Sequence, residues 1–198
     1  ILGNDNFLLN CLKKKKSQEY INNYVAYTLQ STKCLGLKVI NAGGTESFKK
    51  GVNEFDIDDI VPEYGVSSRQ ILNCLVNANE ELKIPHPLHV HCNNLGLPGN
   101  VDTAIKTIVA SEGRMMHLAH VQFYGYDKKG KRGFSSGSIK LSEAINKNKN
   151  ITVDIGQVMF KPTVTISSDV LRQYQARIHS NPKKYIISEV EDGGGGIV

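Results

Sequence analysis

The chain has 198 residues, of which 40% are hydrophobic and 22% are charged, and this composition predicts a globular protein with a sizeable core. The net charge of +5 accompanies few aromatic residues and no tryptophan, so nucleic-acid binding is not expected. The apolar runs are shorter than the ~20 residues of a membrane-spanning helix, and neither a membrane anchor nor a secretion signal is expected.

The first part of the chain predicts two helices and then a buried strand. The stretches "NDNFLLNCL" and "SQEYINNYVAYTLQSTKCLG" have helical patterns, and Ser17 can cap the second. The short apolar run "LKVIN" has glycine on either side and predicts a buried strand. The segment 42–65 follows with little periodicity, and a loop of that length is often functional.

Helices and strands alternate from residue 66 onward. The predicted helices are "SSRQILNCLVNANEELK", "VDTAIKTIVASEG" and "SGSIKLSEAINKN", and the predicted strands are "LHVHC", "MMHLAHVQF" and "ITVDIGQVMF". Repeated β–α units of roughly 30 residues imply parallel strands with right-handed crossovers. An open doubly wound sheet and a barrel both satisfy this order, although no GxGxxG motif follows a strand to support dinucleotide binding.

The cysteines indicate a reducing environment. Cys11, Cys34, Cys74 and Cys92 are widely separated and form no CxxC pair. This spacing is unlike a disulfide framework or a zinc ribbon, so a cytoplasmic protein is expected.

Histidines lie on two consecutive predicted strands. In "LHVHC" the two-residue period puts His89 and His91 on one side, with His91 nearer the carboxyl end. In "HLAHVQF" the spacing of three puts His117 and His120 on opposite faces. His120 lies nearer the end of the strand, and this position favours His120 as the residue that points inward. The pattern alone leaves two interpretations open, a metal site and a pair of hydrogen-bonded core histidines.

A lysine lies in the apolar strand that precedes these histidines. Burial of Lys38 is costly unless the amine is paired or modified, and one modification is a carbamate formed with carbon dioxide, an anionic metal ligand. The alternative is a lysine at a strand end whose amine reaches solvent. Taken alone, the residue favours this alternative.

The order lysine, histidine, histidine on three consecutive barrel strands is found in dinuclear amidohydrolases. Four longer motifs narrow this further: "LKVINAGGTESF", "PHPLHVHCNNLGLPGN", "HLAHVQFYGY" and "ITVDIGQVMF". In these motifs the sequence resembles the A-type subunit of formylmethanofuran dehydrogenases, a group that includes the related subunit of bacterial formyltransferase/hydrolase complexes. The resemblance runs from "ILGNDNFLL" to "GGGGIV", and the stretches "VSSRQIL" and "VTISSDVLRQYQ" lean toward the bacterial branch.

The resemblance implies a metal-dependent amidohydrolase with a (β/α) TIM barrel, of which residues 1–198 form part of one domain without its first and last strands. The implied reaction interconverts an N-formyl furan coenzyme with formate and the free amine, in the one-carbon metabolism that includes methanogenesis. The implied partners are that coenzyme and the other subunits of the complex. Two alternatives are a non-catalytic scaffold within the same complex and a dinuclear amidohydrolase of another amide.

Transferred to this sequence, the resemblance implies a centre of two zinc ions bridged by a carboxylated Lys38. It makes His91 and His120 the histidine ligands of the second metal. His89 and Asp154 are expected to orient the ligands without binding the metal themselves.

Two asparagines, Asn93 and Asn94, follow the first histidine strand. They are expected to line the substrate pocket.

The sequence also departs from the family pattern. No histidine precedes Lys38, so the HxH pair of the family's first strand is not in this chain, and the catalytic aspartate is expected beyond Val198. The chain is therefore expected to hold half of a site, to be part of a longer polypeptide and to be inactive alone.

Overall fold

The computed structural model describes residues 1–52, 54–130 and 135–156. The predicted strand "ITVDIGQVMF" is therefore described only as far as Gly156, and the stretches "VTISSDVLRQYQ" and "GGGGIV" lie outside the described residues. Within the described ranges, no helix has the length and apolar character needed to cross a membrane.

The described residues form helices and short strands that alternate after the second helix. The helices are α1 (Asn6–Lys13), α2 (Gln18–Thr32), α3 (Gly44–Lys49), α4 (Ser68–Glu81), α5 (Asn100–Ala110) and α6 (Ser138–Lys147), with a 3-10 helix at Val121–Tyr124. The strands are β1 (Lys38–Ile40), β2 (Ile60–Val61), β3 (Val66–Ser67), β4 (Leu88–His91), β5 (Met116–Leu118), β6 (Tyr126–Asp127), β7 (Ser135–Ser136) and β8 (Ile151–Val153).

Four of these strands form one sheet in the order β1–β4–β5–β8, and every pairing in it is parallel. The other four form two small antiparallel hairpins, β2–β3 and β6–β7, within the connections. The prediction of parallel β–α units is confirmed. The sheet strands lie side by side in chain order, as strands do around a β/α barrel, whereas the order in a doubly wound sheet reverses at a switch point. The sheet is consistent with an arc of a barrel.

The two faces of the sheet differ in chemistry. One face is apolar and fully covered, and it joins the helices in a single hydrophobic core through the side chains of Val39, Leu88, Val90, Met116 and Leu118. Because side chains alternate along a strand, the intervening residues lie on the opposite, half-buried face. The helices therefore cover one face, and the other holds the polar side chains.

Helix α4 begins with a capping box. The Ser67 hydroxyl accepts a hydrogen bond from the N–H of Gln70, and the Gln70 side chain accepts one from the N–H of Ser67. This capping box satisfies two backbone donors that a helix start otherwise leaves without partners.

The segment 42–65 is more ordered than its sequence predicts. It contains α3 and β2, and the side chains of Phe55, Ile57 and Val61 are fully buried in the core. The sequence has no periodicity here because each piece is too short to show one, and long-range burial holds the segment in place instead.

Candidate metal centre

The polar face of the sheet carries a row of side chains that crosses all four strands. Each residue of this row is the register partner of the next on the neighbouring strand. The row consists of Lys38 on β1, His89 on β4, His117 on β5 and Thr152 on β8. His91 lies two residues beyond His89, toward the carboxyl end of β4. Neighbouring parallel strands therefore place a lysine and histidines side by side on one face.

The expectation that only one histidine of "HLAHVQF" faces inward is wrong. Strand β5 ends at Leu118, and His120 follows with φ 52° and ψ 48°, in the left-handed region. This turn breaks the strand alternation and returns the His120 ring to the face that carries His117. The rings of His91 and His120 lie edge to face with centroids 4.8 Å apart, and those of His89 and His117 do so at 5.0 Å. We call these four residues the histidine cluster.

Asp154, just beyond β8, binds two members of the histidine cluster. Its Oδ1 accepts the backbone N–H of His120 at 2.6 Å, and its Oδ2 lies 3.0 Å from Nε2 of His117. The hydrogen bond from the His120 N–H, together with the one from His117, holds the pKa of the Asp154 carboxyl below its usual range, against the opposing effect of desolvation. An ionised carboxylate therefore lies between the two histidines.

Three ring nitrogens of the histidine cluster are buried and have no hydrogen-bond partner among the described residues: Nε2 of His89, Nε2 of His91 and Nδ1 of His120. The last lies 3.3 Å from Asp154 Oδ1, but not in hydrogen-bond geometry. Buried polar atoms normally have partners, and three such ring nitrogens on one face form a set that can bind a metal ion.

Burial and the nearby Lys38 charge lower the pKa of His91 to about 4 and also lower the pKa of His89. At neutral pH these imidazoles are uncharged, and an uncharged imidazole is the form that binds zinc. The histidines present therefore fit a metal ion.

Lys38 lies on the strand next to His89 and His91 and on the same face of the sheet. It is half-buried, and no ion pair or hydrogen bond to its amine is found within the described ranges. The structure thus places Lys38, His91 and His120, the three residues that the resemblance implies as ligands, on one face of the sheet.

A second set of three side chains on the polar face of the sheet is also close enough together to bind one metal ion. Ligand atoms of His89, His117 and Asp154 all lie within 4.8 Å of one another. His117 is not among the ligands predicted from the sequence because the two-residue strand period places it on the face opposite His120. Its register partnership with His89 is the signal that finds it, but register requires knowing which strands pair.

Asn93 and Asn94 lie in the loop after β4, and their amides are bound to the protein. The Asn93 Nδ2 donates to Ser68 Oγ at 2.7 Å. The Asn94 Oδ1 accepts the backbone N–H of Phe55 at 2.9 Å, and its Nδ2 donates to Thr103 Oγ1 at 3.3 Å. Both side chains are about nine-tenths buried, and these bonds tie the loop to the segment 42–65 and to α4 and α5.

Replacing Asn94 by alanine is expected to destabilise the full-length protein by about 2–4 kcal/mol. The change leaves the buried N–H of Phe55 without an acceptor and puts a residue with a Cβ and no polar group at φ 61°. Thermal unfolding measures the loss. Asn10→Ala, on the exposed face of α1, is the matched control and is expected to stay within about 0.5 kcal/mol of the wild type. An unchanged melting temperature with a raised KM would instead favour substrate binding by Asn94.

The fold and the site define a class of protein: a parallel β/α protein with a histidine-rich candidate metal centre on the polar face of its sheet. No protein-family model matches the chain. Over its whole length the chain is 45% identical to the A-type Fhc subunit of the formyltransferase/hydrolase complex from Methylorubrum extorquens. Over 88% of its length it is 34% identical to protein FwdA from Methanocaldococcus jannaschii. The chain is thus a homologue of the A-type Fhc subunit, and the resemblance seen in its motifs is confirmed.

A solved structure is similar to the chain in both fold and sequence. The chain matches the crystal structure of the formyltransferase/hydrolase complex FhcABCD from Methylorubrum extorquens in complex with methylofuran, with a TM-score of 0.81 over 99% of its residues and 45% identity. It covers 36% of that chain, 37% of the A-type Fhc sequence and 33% of FwdA. The chain therefore spans about a third of the relatives that it matches.

Proposed function

We propose that the chain is part of the catalytic β/α barrel of an A-type subunit that hydrolyses the formamide of an N-formyl furan coenzyme within a formyltransferase/hydrolase complex. The observation that carries the proposal is the set of three buried imidazole nitrogens without a hydrogen-bond partner among the described residues, on the same face of the sheet as Lys38. The similarity to a subunit of a complex solved with methylofuran supports the choice of substrate.

In this proposal Lys38, His91 and His120 hold zinc. When bound, zinc polarises a carbonyl oxygen and lowers the pKa of water to about 7, which supplies a nucleophile at neutral pH. Two of these ligands are histidines, and a second metal would need ligands other than these three residues.

Lys38 contributes a bridging ligand after it reacts with carbon dioxide. The cationic side chain first gives up one proton, and the neutral amine nitrogen then forms a bond to the carbon of carbon dioxide and releases a second proton, which leaves an anionic carbamate. The two carbamate oxygens can serve two metal ions. The absence of a carboxylate pairing with Lys38 in the described ranges leaves its amine available for this reaction.

Removal of metal tests the proposal. The full-length subunit in its complex is expected to release formate from formyl-methylofuran, to lose that activity when zinc is chelated, and to regain it when zinc and bicarbonate are added. Formate and bound zinc are measured on the same samples. A complex that binds no zinc and keeps its activity would support the scaffold alternative, with catalysis elsewhere. Turnover of other amides but not of the formyl coenzyme would contradict the substrate.

A further inference from the structure

His117 differs from the other three members of the histidine cluster because both of its ring nitrogens have protein partners. Its Nδ1 lies 2.9 Å from the hydroxyl of Thr152, and its Nε2 lies 3.0 Å from Oδ2 of Asp154. Each of the other three histidines keeps a buried nitrogen without a partner among the described residues. Spacing alone groups His117 with His89 and Asp154 as a metal site, but its hydrogen bonds point to another role.

The two hydrogen bonds leave His117 without a free lone pair in either charge state. The Asp154 carboxylate can only accept, so Nε2 of His117 carries the proton. If the ring is neutral, Nδ1 accepts and the Thr152 hydroxyl donates. If the ring is protonated, Nδ1 donates and the hydroxyl accepts. A metal could bind His117 only if one of these bonds were broken.

The same carboxylate holds the turn that places His120. Oδ1 of Asp154 accepts the His120 N–H at 2.6 Å, and the Asp154 carbonyl accepts the N–H of Val121 at 3.0 Å. The left-handed conformation of His120 costs roughly 1–2 kcal/mol for a residue with a Cβ, so it needs such external bonds. The position of the His120 ring therefore depends on where the Asp154 carboxylate is held.

We infer that Thr152, His117 and Asp154 form a positioning relay for His120, and that His117 is not itself a metal ligand. The inference rests on the proposed zinc centre. Thr152 fixes the ring of His117, His117 fixes one oxygen of Asp154, and the other oxygen fixes the backbone of His120. Hydrogen bonds of this kind behind a ligand typically change metal affinity by about 10–100-fold.

A pair of variants at Thr152 tests the relay in the full-length complex. Thr152→Val keeps the shape of the side chain and removes the hydroxyl, whereas Thr152→Ser keeps the hydroxyl. Thr152 is exposed on β8 and valine favours strands, so neither variant is expected to unfold the protein. Thr152→Val is expected to retain the wild-type number of zinc ions but to lose them to a chelator at a concentration about 10-fold lower. Thr152→Ser is expected to match the wild type, and equal behaviour of all three proteins would overturn the relay.

His117→Gln tests whether His117 binds the metal. The relay predicts unchanged zinc stoichiometry, a metal affinity about 10–100-fold weaker, and an unchanged visible absorption band when cobalt(II) replaces zinc. Loss of a zinc ion, or an altered cobalt band, would show that His117 is a ligand and overturn the inference. His86→Gln, at an exposed histidine outside the cluster, is the control. The zinc content of the wild-type protein tests the proposed function. The relay is tested separately, by how the variants differ from the wild type.

Discussion

Formate release by the full-length complex is expected to fall at least about 10³-fold when Lys38 is replaced by alanine. Lys38 is the register partner of His89 on the neighbouring strand, and a methyl group in place of its side chain can form no carbamate. A metal ion supplies several kcal/mol of transition-state stabilisation, and about 1.4 kcal/mol corresponds to a factor of ten in rate. The measurement is the initial rate of formate release, with zinc content determined on the same preparation.

Chemical rescue and a matched control separate loss of the carbamate from general damage. A short carboxylic acid such as propionate, added at millimolar concentration, is expected to restore part of the activity of Lys38→Ala because its carboxylate can occupy the place of the carbamate. Lys147→Ala, at an exposed lysine at the end of α6, is expected to keep wild-type activity and zinc. If Lys38→Ala retained full turnover and full zinc content, the assignment of Lys38 as a ligand would be wrong.

A second large loss of formate release is expected when His91 or His120, whose rings are in contact, is replaced. Their rings lie 4.8 Å apart, and each keeps a buried nitrogen without a partner in the described part of the chain. If both bind one zinc ion, His91→Ala and His120→Ala should each remove that ion and lower formate release about 10³-fold or more. The double variant should then be no worse than either single variant, because residues that act as one unit are not additive.

The double variant also provides the outcome that would contradict a shared ion. If the two single effects multiplied in the double variant, His91 and His120 would act independently. Bound zinc is measured along with the rates, so that a loss of metal can be distinguished from a loss of chemistry. The control His86→Ala is expected to leave both quantities unchanged.

Local sequence was sufficient to predict much of the sheet. The alternation in "LHVHC" correctly places Leu88 and Val90 on the buried face and His89 and His91 on the other. A strand repeats every two residues wherever it pairs, so alternation within one strand needs no knowledge of its neighbours. The capping box at the start of α4 is likewise encoded within four residues.

The family motifs extended this prediction beyond secondary structure. They indicated that Lys38, His91 and His120 lie at one site, and the structure places all three on one face of the sheet. Their roles as zinc ligands remain a prediction that the variants above test. The pocket roles expected for Asn93 and Asn94 likewise remain predictions, although the structure shows both amides bonded to protein atoms.

By itself, then, the sequence determined the order of parallel β–α units, the polar and apolar faces of β4 and the resemblance to the A-type family. Only the tertiary structure decided that His117 and His120 share a face. That outcome depends on a left-handed turn at His120, which a carboxylate 34 residues further along the chain holds in place. The hydrogen bond forms only because β5 and β8 pair in one particular register, and register is a property of two strands that neither strand encodes alone.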